Sequence, residues 1–288
     1  MNNILEVIGL KKKFGRFSLH DINFSLQEGC ITGFIGINGA GKTTTIKSIL
    51  GLVVKDAGSI KLFGREISEN ERELKNHIGI VLDSGYFYED MTLVEMKNII
   101  APAYLNWDET VFKNNMNRFR LESNKKIVNL SKGMRMKYAI ALALSHHADL
   151  LIMDEPTSGL DPLVRSELMD ILLEFMQEEG KSVFFSSHIT SDLDKVADVI
   201  IAIDKGRIVL NEEKDILLDT HGLVKGDKAL LNSDTRKLFL KMRETEYGFE
   251  GLTNNKPAVV QLMKGVLLEK PTIEDIMLCY VGGNENDA

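Results

Sequence analysis

The chain has 288 residues, with 44% hydrophobic and 27% charged side chains, the composition of an ordinary soluble globular protein long enough for one large domain plus an appendage. Its formal net charge of −7 lacks the Lys and Arg surplus that displaces counterions from nucleic acid, so no nucleic-acid partner is expected. Cys30 and Cys279 have no metal-like spacing and are expected to be small buried hydrophobes in a reducing compartment.

The N-terminal stretch MNNILEVIGLKKK lacks the charged segment and long apolar core of a signal peptide, and runs such as VIIAI and DLLIM are too short to span a bilayer. A cytoplasmic location is expected, with any membrane role borrowed from another chain. The basic run Lys11–Lys13 with Arg16 reads as a solvated strand end.

In chain order, ILEVIGL and FSLHDINFSL read as paired strands. CITGFIG is a continuous apolar run suited to a buried parallel strand, ending in a glycine-rich loop. KTTTIKSILGL follows as a helix, then GSIKLFG and HIGIVLD as strands. From about Gly85 to Ala148 the pattern is helical, with helices over Met91–Ile100, Asp108–Phe119 and Lys132–Ser145. The adjacent His146 and His147 read as a surface feature of a helix end.

ADLLIMDE is again a buried strand, Pro162–Glu179 a helix with proline at its first position, and KSVFFSS a strand. A short helix follows His188, and DVIIAIDKGRIVL makes a hairpin around Lys205 and Gly206. Beyond Leu218, Ser233–Arg243 and Thr272–Val281 read as helices, with strand-like EYGFEGLT and GVLLE between them. Thr272 with Asp275 fits a capping box, and Ile273, Ile276, Met277 and Tyr280 share one helical face. The domains expected are residues 1–217, with a helical subdomain over about 85–148, and an accessory domain of residues 218–288.

The strongest chemical signal is GINGAGKT, Gly36–Thr43, which fits G-x-x-x-x-G-K-[ST] between a buried strand and a helix. Such glycines let the backbone N–H groups of Asn38, Gly39, Ala40, Gly41, Lys42, Thr43 and Thr44 curl around phosphate, where the helix dipole adds positive potential. Lys42 would reach the β- and γ-phosphates, and the Thr43 hydroxyl would ligate Mg²⁺. LLIMDEP then buries a strand and presents Asp154, a Mg²⁺ ligand, and Glu155, a base for the attacking water. An acid after a strand is common enough, but beside a phosphate loop it reads as chemistry.

Together with LSKGM at Leu130–Met134, SGLD at Ser158–Asp161 and a strand-end His188, these motifs resemble the nucleotide-binding subunit of ATP-binding cassette (ABC) transporters. The resemblance covers about the first three-quarters of the chain, in the family's motif order. It implies an α/β fold: a P-loop NTPase core of ABC type with a mostly parallel sheet, an antiparallel β subdomain, a helical subdomain and a small α+β C-terminal appendage.

It further implies that Ser131 and Gly133 bind the γ-phosphate of ATP held by a second subunit, most simply another copy of the chain. Ser131 would also cap its own helix, as serine commonly does. His188 resembles the switch histidine that contacts the γ-phosphate and water, and Asp161 the residue that communicates between the two sites. Phe14 stands where an aromatic stacks on adenine.

Two departures stand out. Lys132 and Met134 replace a glycine and a glutamine of the signature, and Asp83 in IGIVLDSG replaces a glutamine that helps ligate Mg²⁺. The aromatics Tyr86, Phe87 and Tyr88 are expected to contribute to a socket for the membrane subunit, at least one of them being core instead.

The function expected is therefore ATP hydrolysis by a paired, peripheral subunit that powers an integral membrane permease, with ATP and Mg²⁺ as its ligands and export as the favoured direction. A cassette acting on ribosomes or DNA is the competing reading, disfavoured by the acidic balance and the single cassette. An ATP-dependent switch without appreciable hydrolysis is the other, with Asp83 its supporting feature.

Overall fold

The computed structural model describes residues 2–67, 71–83 and 86–281. It opens with two long antiparallel strands, β1 (Asn3–Phe14) and β2 (Phe17–Gln27), followed by β3 (Ile31–Ile35), helix α1 (Lys42–Ile49), β4 (Ala57–Leu62), β5 (Arg65–Glu66), α2 (Glu71–Lys75) and β6 (Ile78–Leu82). Helices α3 (Leu93–Ile100), α4 (Glu109–Arg118) and α5 (Lys132–Leu144) come next. The chain then alternates β7 (Leu150–Asp154), α6 (Pro162–Phe175), β8 (Ser182–Ser187), α7 (Thr190–Val196) and β9 (Val199–Asp204), and closes this part with β10 (Arg207–Glu213).

The central sheet has the order β10-β9-β3-β8-β7-β6, parallel except for β10. Every residue of β3, β7 and β8 is buried, which is why these strands read as unbroken apolar runs. Their side chains alternate between two cores. Leu151, Met153, Val183 and Phe185 belong to the cluster that includes the helical segment, α6 and α7. Leu150, Ile152, Phe34 and Phe184 belong to the cluster under the antiparallel sheet β2-β1-β4-β5, where the rings of Phe24, Phe34 and Phe184 meet at 5.3–5.9 Å. A layer on each face leaves the strand ends as the accessible edge of the sheet.

Helix starts follow local chemistry. Thr92 and Glu95 form a capping box ahead of α3, and Asp108 accepts from Thr110 and Val111 at the start of α4. The fully buried Tyr138 of α5 donates its hydroxyl to the Leu93 carbonyl at 2.8 Å, tying α5 to α3.

The remaining elements are α8 (Lys214–Thr220), β11 (Gly222–Gly226), α9 (Ser233–Arg236), β12 (Lys241–Thr245), β13 (Gly248–Thr253), α10 (Lys256–Leu262), β14 (Leu267–Glu269) and α11 (Ile273–Tyr280). Their strands form an antiparallel sheet, β12-β13-β11-β14, around a small core of Val224, Phe249, Val259 and Met263. Thr272 and Asp275 form the expected capping box, and Ile273, Ile276 and Met277 are buried in the cluster that also holds Leu193, Val196 and Leu217. The Ile273 amide donates to Asp194 Oδ1 at 3.3 Å, joining α11 to α7.

Several sequence expectations need correction. The helix expected over Ser233–Arg243 stops at Arg236: Asn232 and Thr235 cap each other, and the chain turns into β12, paired with β13. The helix from Pro162 ends at Phe175, and Gly180 at φ 82° belongs to the turn into β8. His146 is buried, its ring stacked on Tyr104 at 3.8 Å and its Nε2 hydrogen-bonded to the Ile78 carbonyl; only His147 is exposed. Cys30 and Cys279 are half-buried free thiols, which burial pushes up in pKa. Gly85, at the start of the helical segment, lies outside the described residues, as do residues 282–288 of the C-terminal segment.

Candidate functional site

Strand register builds the site. Ile35 pairs with Ser187, Asp154 with Ser186, and Leu82 with Asp154, so the carboxyl ends of β3, β8, β7 and β6 stand in one row. The residues just past those ends are the glycine loop, His188, Glu155 and Asp83.

The loop from Gly36 to Gly41 curls around its own lysine. Lys42 is 6% exposed, and its ammonium donates to the Gly36 carbonyl at 2.7 Å and reaches the Ile37 carbonyl at 3.4 Å. A Cβ on Gly36 would stand 2.4 Å from the Ile203 carbonyl oxygen, and Gly41 has φ 120°, so neither position tolerates a side chain. Helix α1 begins at Gly41 with no side-chain cap and no acidic residue in its first turn, leaving its N–H groups to an anion. Asn38, Gly39 and Thr43 are exposed, Ala40 is buried and Thr44 is half-buried.

Two hairpins brace this loop. The Gly206 amide donates to the Ala40 carbonyl at 2.9 Å. The rings and methyls of Phe17 and Leu19 crowd Gly41, since a Cβ there would meet them at 3.0 and 2.8 Å. That contact brings the β1–β2 hairpin beside the loop. Phe14, paired with Phe17 at its tip, is 45% exposed, with the Lys12 ammonium 5.3 Å from its ring centroid.

At the end of β7, Asp154 is buried and Glu155 takes φ 51°, a left-handed conformation unusual for a residue with a side chain. Glu155 Oε1 lies 3.0 Å from the Lys42 ammonium, an ion pair without good hydrogen-bond alignment. Glu155 Oε2 lies 2.7 Å from His188 Nδ1. An ionised carboxylate only accepts, so Nδ1 carries the proton and Nε2 is the nitrogen left for another partner. Sequence reasoning missed Ser186. Its hydroxyl donates to Asp154 Oδ1 at 2.7 Å and accepts the Glu155 amide at 3.0 Å, fixing both acids. The small polar pair before His188 in FFSSH was the available signal.

Lys42, Asp154, Glu155 and His188 are therefore brought together, with the hydroxyl of Thr43 on the exposed side of α1. Ser131 and Gly133 belong to a different grouping. Ser131 is exposed and its hydroxyl accepts the Met134 amide at 3.2 Å, while Gly133 faces Val164. Asp161 caps α6 by accepting from Leu163 and Val164, both at 3.0 Å. These residues line a surface cavity of about 500 Å³ with Lys132, Lys137 and Gly159. Asp83 Oδ1 lies 2.8 Å from the Lys132 ammonium. Tyr86 and Tyr88 are exposed, whereas Phe87 packs on Tyr138.

Among the described residues no helix is long and apolar enough to cross a membrane. Among the same described residues, no group of three or more His, Cys, Asp or Glu side chains is placed to hold a metal ion. A divalent ion there would take most of its shell from phosphate and water oxygens, with few protein ligands. That is the donor set Mg²⁺ favours beside a nucleotide.

The ABC transporter family model matches residues 19–158. The chain is 34% identical over 214 residues to the bacitracin transport ATP-binding protein BcrA of Bacillus licheniformis, covering 73% of this chain and 69% of that protein. It is 35% identical over 215 residues to the lantibiotic transport ATP-binding protein SrtF of Streptococcus pyogenes, covering 74% and 92%. Among solved structures, an ATP binding subunit of an ABC transporter matches with TM-score 0.67 and 28% identity, covering 74% of this chain and 91% of that one. CbiO1 from Clostridium perfringens, part of an ABC transporter complex, matches with TM-score 0.63 and 26% identity, covering 75% and 91%. With the phosphate loop, the paired acids and the strand-end histidine on one sheet edge, the chain belongs to the ATP-binding cassette transporter family, as an ATP-binding subunit that hydrolyses ATP.

Proposed function

We propose that two copies of the chain pair head to tail, each completing the other's ATP site, and that the pair powers a separate integral membrane permease from its cytoplasmic face. The observation that carries this reading is the division of the motifs. Lys42, Glu155 and His188 converge at the sheet edge, whereas Ser131 and Gly133 open onto a separate cavity bordered by Asp161. A helix N-terminus bearing a hydroxyl and a bare glycine suits a phosphate brought by a second subunit.

In this mechanism the uncapped first turn of α1 and the loop Asn38–Thr44 hold the triphosphate, and Phe14 offers its face to the adenine. Lys42 exchanges its pairing with Glu155 for the phosphates. Glu155, so released, accepts a proton from water attacking the γ-phosphorus, and His188 orients that carboxylate through Nδ1. Thr43 and Asp154 would hold Mg²⁺, which offsets charge on the phosphate oxygens. Asp83, the third oxygen ligand expected from the sequence, pairs with Lys132 through Oδ1. ATP closes the pair and product release reopens it, and that motion drives the permease.

The same proposal divides the chain into a cassette of residues 1–217, with helical residues of about 85–148 inside it, and an accessory domain of 218–288. The separate third sheet supports that division. The relatives named for bacitracin and lantibiotic transport make such antibiotics the first cargoes to test, with export as the direction.

Purification of the tagged protein from detergent-solubilised membranes of its own host tests the reading. A stoichiometric integral membrane protein is expected, and its addition should raise ATP turnover. Recovery of ribosomes or DNA instead, or of no membrane protein, overturns it.

A further inference from the structure

The two departures of this chain from the family's pattern touch each other. Asp83 replaces a glutamine at the exit of β6, Lys132 replaces a glycine at the first position of α5, and the ammonium lies 2.8 Å from Asp83 Oδ1. The lysine stem runs across Gly159: a Cβ built there would stand 3.6 Å from Lys132 Cδ and 3.4 Å from Nζ. One side chain therefore spans a strand end of the nucleotide site, the first turn of the Ser131 helix, and the SGLD loop that follows Glu155.

The charges of the two side chains complement each other. Asp83 follows Leu82, whose register partner is Asp154, so the edge that is to receive a triphosphate carries two carboxylates on adjoining strands. A glutamine there is neutral; an unpaired aspartate would repel the incoming anion. The Lys132 ammonium cancels the charge that Asp83 adds, with its stem packed in ordinary contact over Gly159.

We propose that Asp83 and Lys132 work as one unit, with Lys132 a positioning residue that neutralises Asp83 and couples the end of β6 to the signature helix. The inference rests on the ATP-binding reading above, and treats the pair as a net-neutral replacement for glutamine and glycine. Both side chains are nearly half exposed, so the pair contributes little to global stability and its effect is on the nucleotide.

The test is equilibrium ATP binding by the full-length protein, with EDTA and with Mg²⁺, for wild type, K132Q, D83N and the double variant. K132Q should weaken ATP binding by roughly threefold to tenfold in both conditions, less so at high salt. D83N added to K132Q should bring affinity back to within about twofold of wild type. A double variant as weak as K132Q alone, or a K132Q protein that binds like wild type, overturns the proposal.

If wild type binds no ATP, the ATPase reading fails separately. The pairing is then read from amide exchange over residues 132–136 of the nucleotide-free protein. D83N should speed that exchange, and an unchanged rate overturns the pairing.

Discussion

The Lys42 ammonium and the Glu155 carboxylate form an ion pair at 3.0 Å, so the phosphate-binding cation and the base of the proposed mechanism hold each other. ATP has to separate them, which ties the release of the base to the arrival of its substrate. Glu155→Gln removes the charge that competes for Lys42. We expect nucleotide affinity equal to or above that of wild type and turnover lower by about 10²–10⁴-fold. Binding and hydrolysis assays on the same preparation check this, and parallel loss of both would remove Glu155 from the role of base.

Ser186 serves two acids with one hydroxyl, donating to Asp154 and accepting from the Glu155 amide. Ser186→Ala leaves both groups short of a partner and should destabilise the protein by about 1–3 kcal/mol. Urea unfolding reads that loss. A Mg²⁺ titration of ATPase activity should show a higher metal requirement, because Asp154 is no longer oriented.

Arg165 on α6 pairs at 2.5 Å with Asp192 on α7, whose side chain is only 2% exposed. Truncating the arginine strands a buried carboxylate. Arg165→Met should cost about 3 kcal/mol, and adding Asp192→Asn should recover much of it. Chemical denaturation of the three proteins measures the coupling.

Burial holds His146 below the ordinary imidazole value of 6.5, and His221 likewise. The unfolded chain binds more protons than the folded one between the lowered value and 6.5. Their contribution is therefore complete above about pH 6.5 and is lost as pH falls through that interval. His146→Phe, which keeps an aromatic ring on Tyr104, should flatten the fall of Tm between about pH 7 and 5. An unchanged slope would locate the effect elsewhere.

The nucleotide site was legible because its parts are local. A phosphate loop needs glycine, lysine and a hydroxyl at fixed spacing, and a strand buried on both faces is an apolar run that ends where its acids begin. What depends on distant neighbours was not legible. His146 looked like a surface residue because its cover comes from Tyr104, between α3 and α4, and from the Ile78 carbonyl of β6, both distant in sequence. Asp83 and Lys132 each looked like an isolated oddity, since nothing in either stretch announces the other. The segment after Ser233 misled for a different reason. Leu238, Phe239, Leu240 and Met242 suit a helix or a turn followed by a strand, and pairing with β13 decides between them.

The C-terminal segment has a practical consequence. Ile273, Ile276 and Met277 share one buried cluster with Leu193, Val196 and Leu217, and Asp194 holds the amide that starts α11. A shortened protein ending at residue 217 would not be a tidy minimal engine. It would bare an oily flank on α7, the helix that immediately follows His188, and would be prone to clump. Loss of activity in such a truncation would then report a damaged foundation under His188, and a designer wanting the cassette alone would first have to resurface that flank.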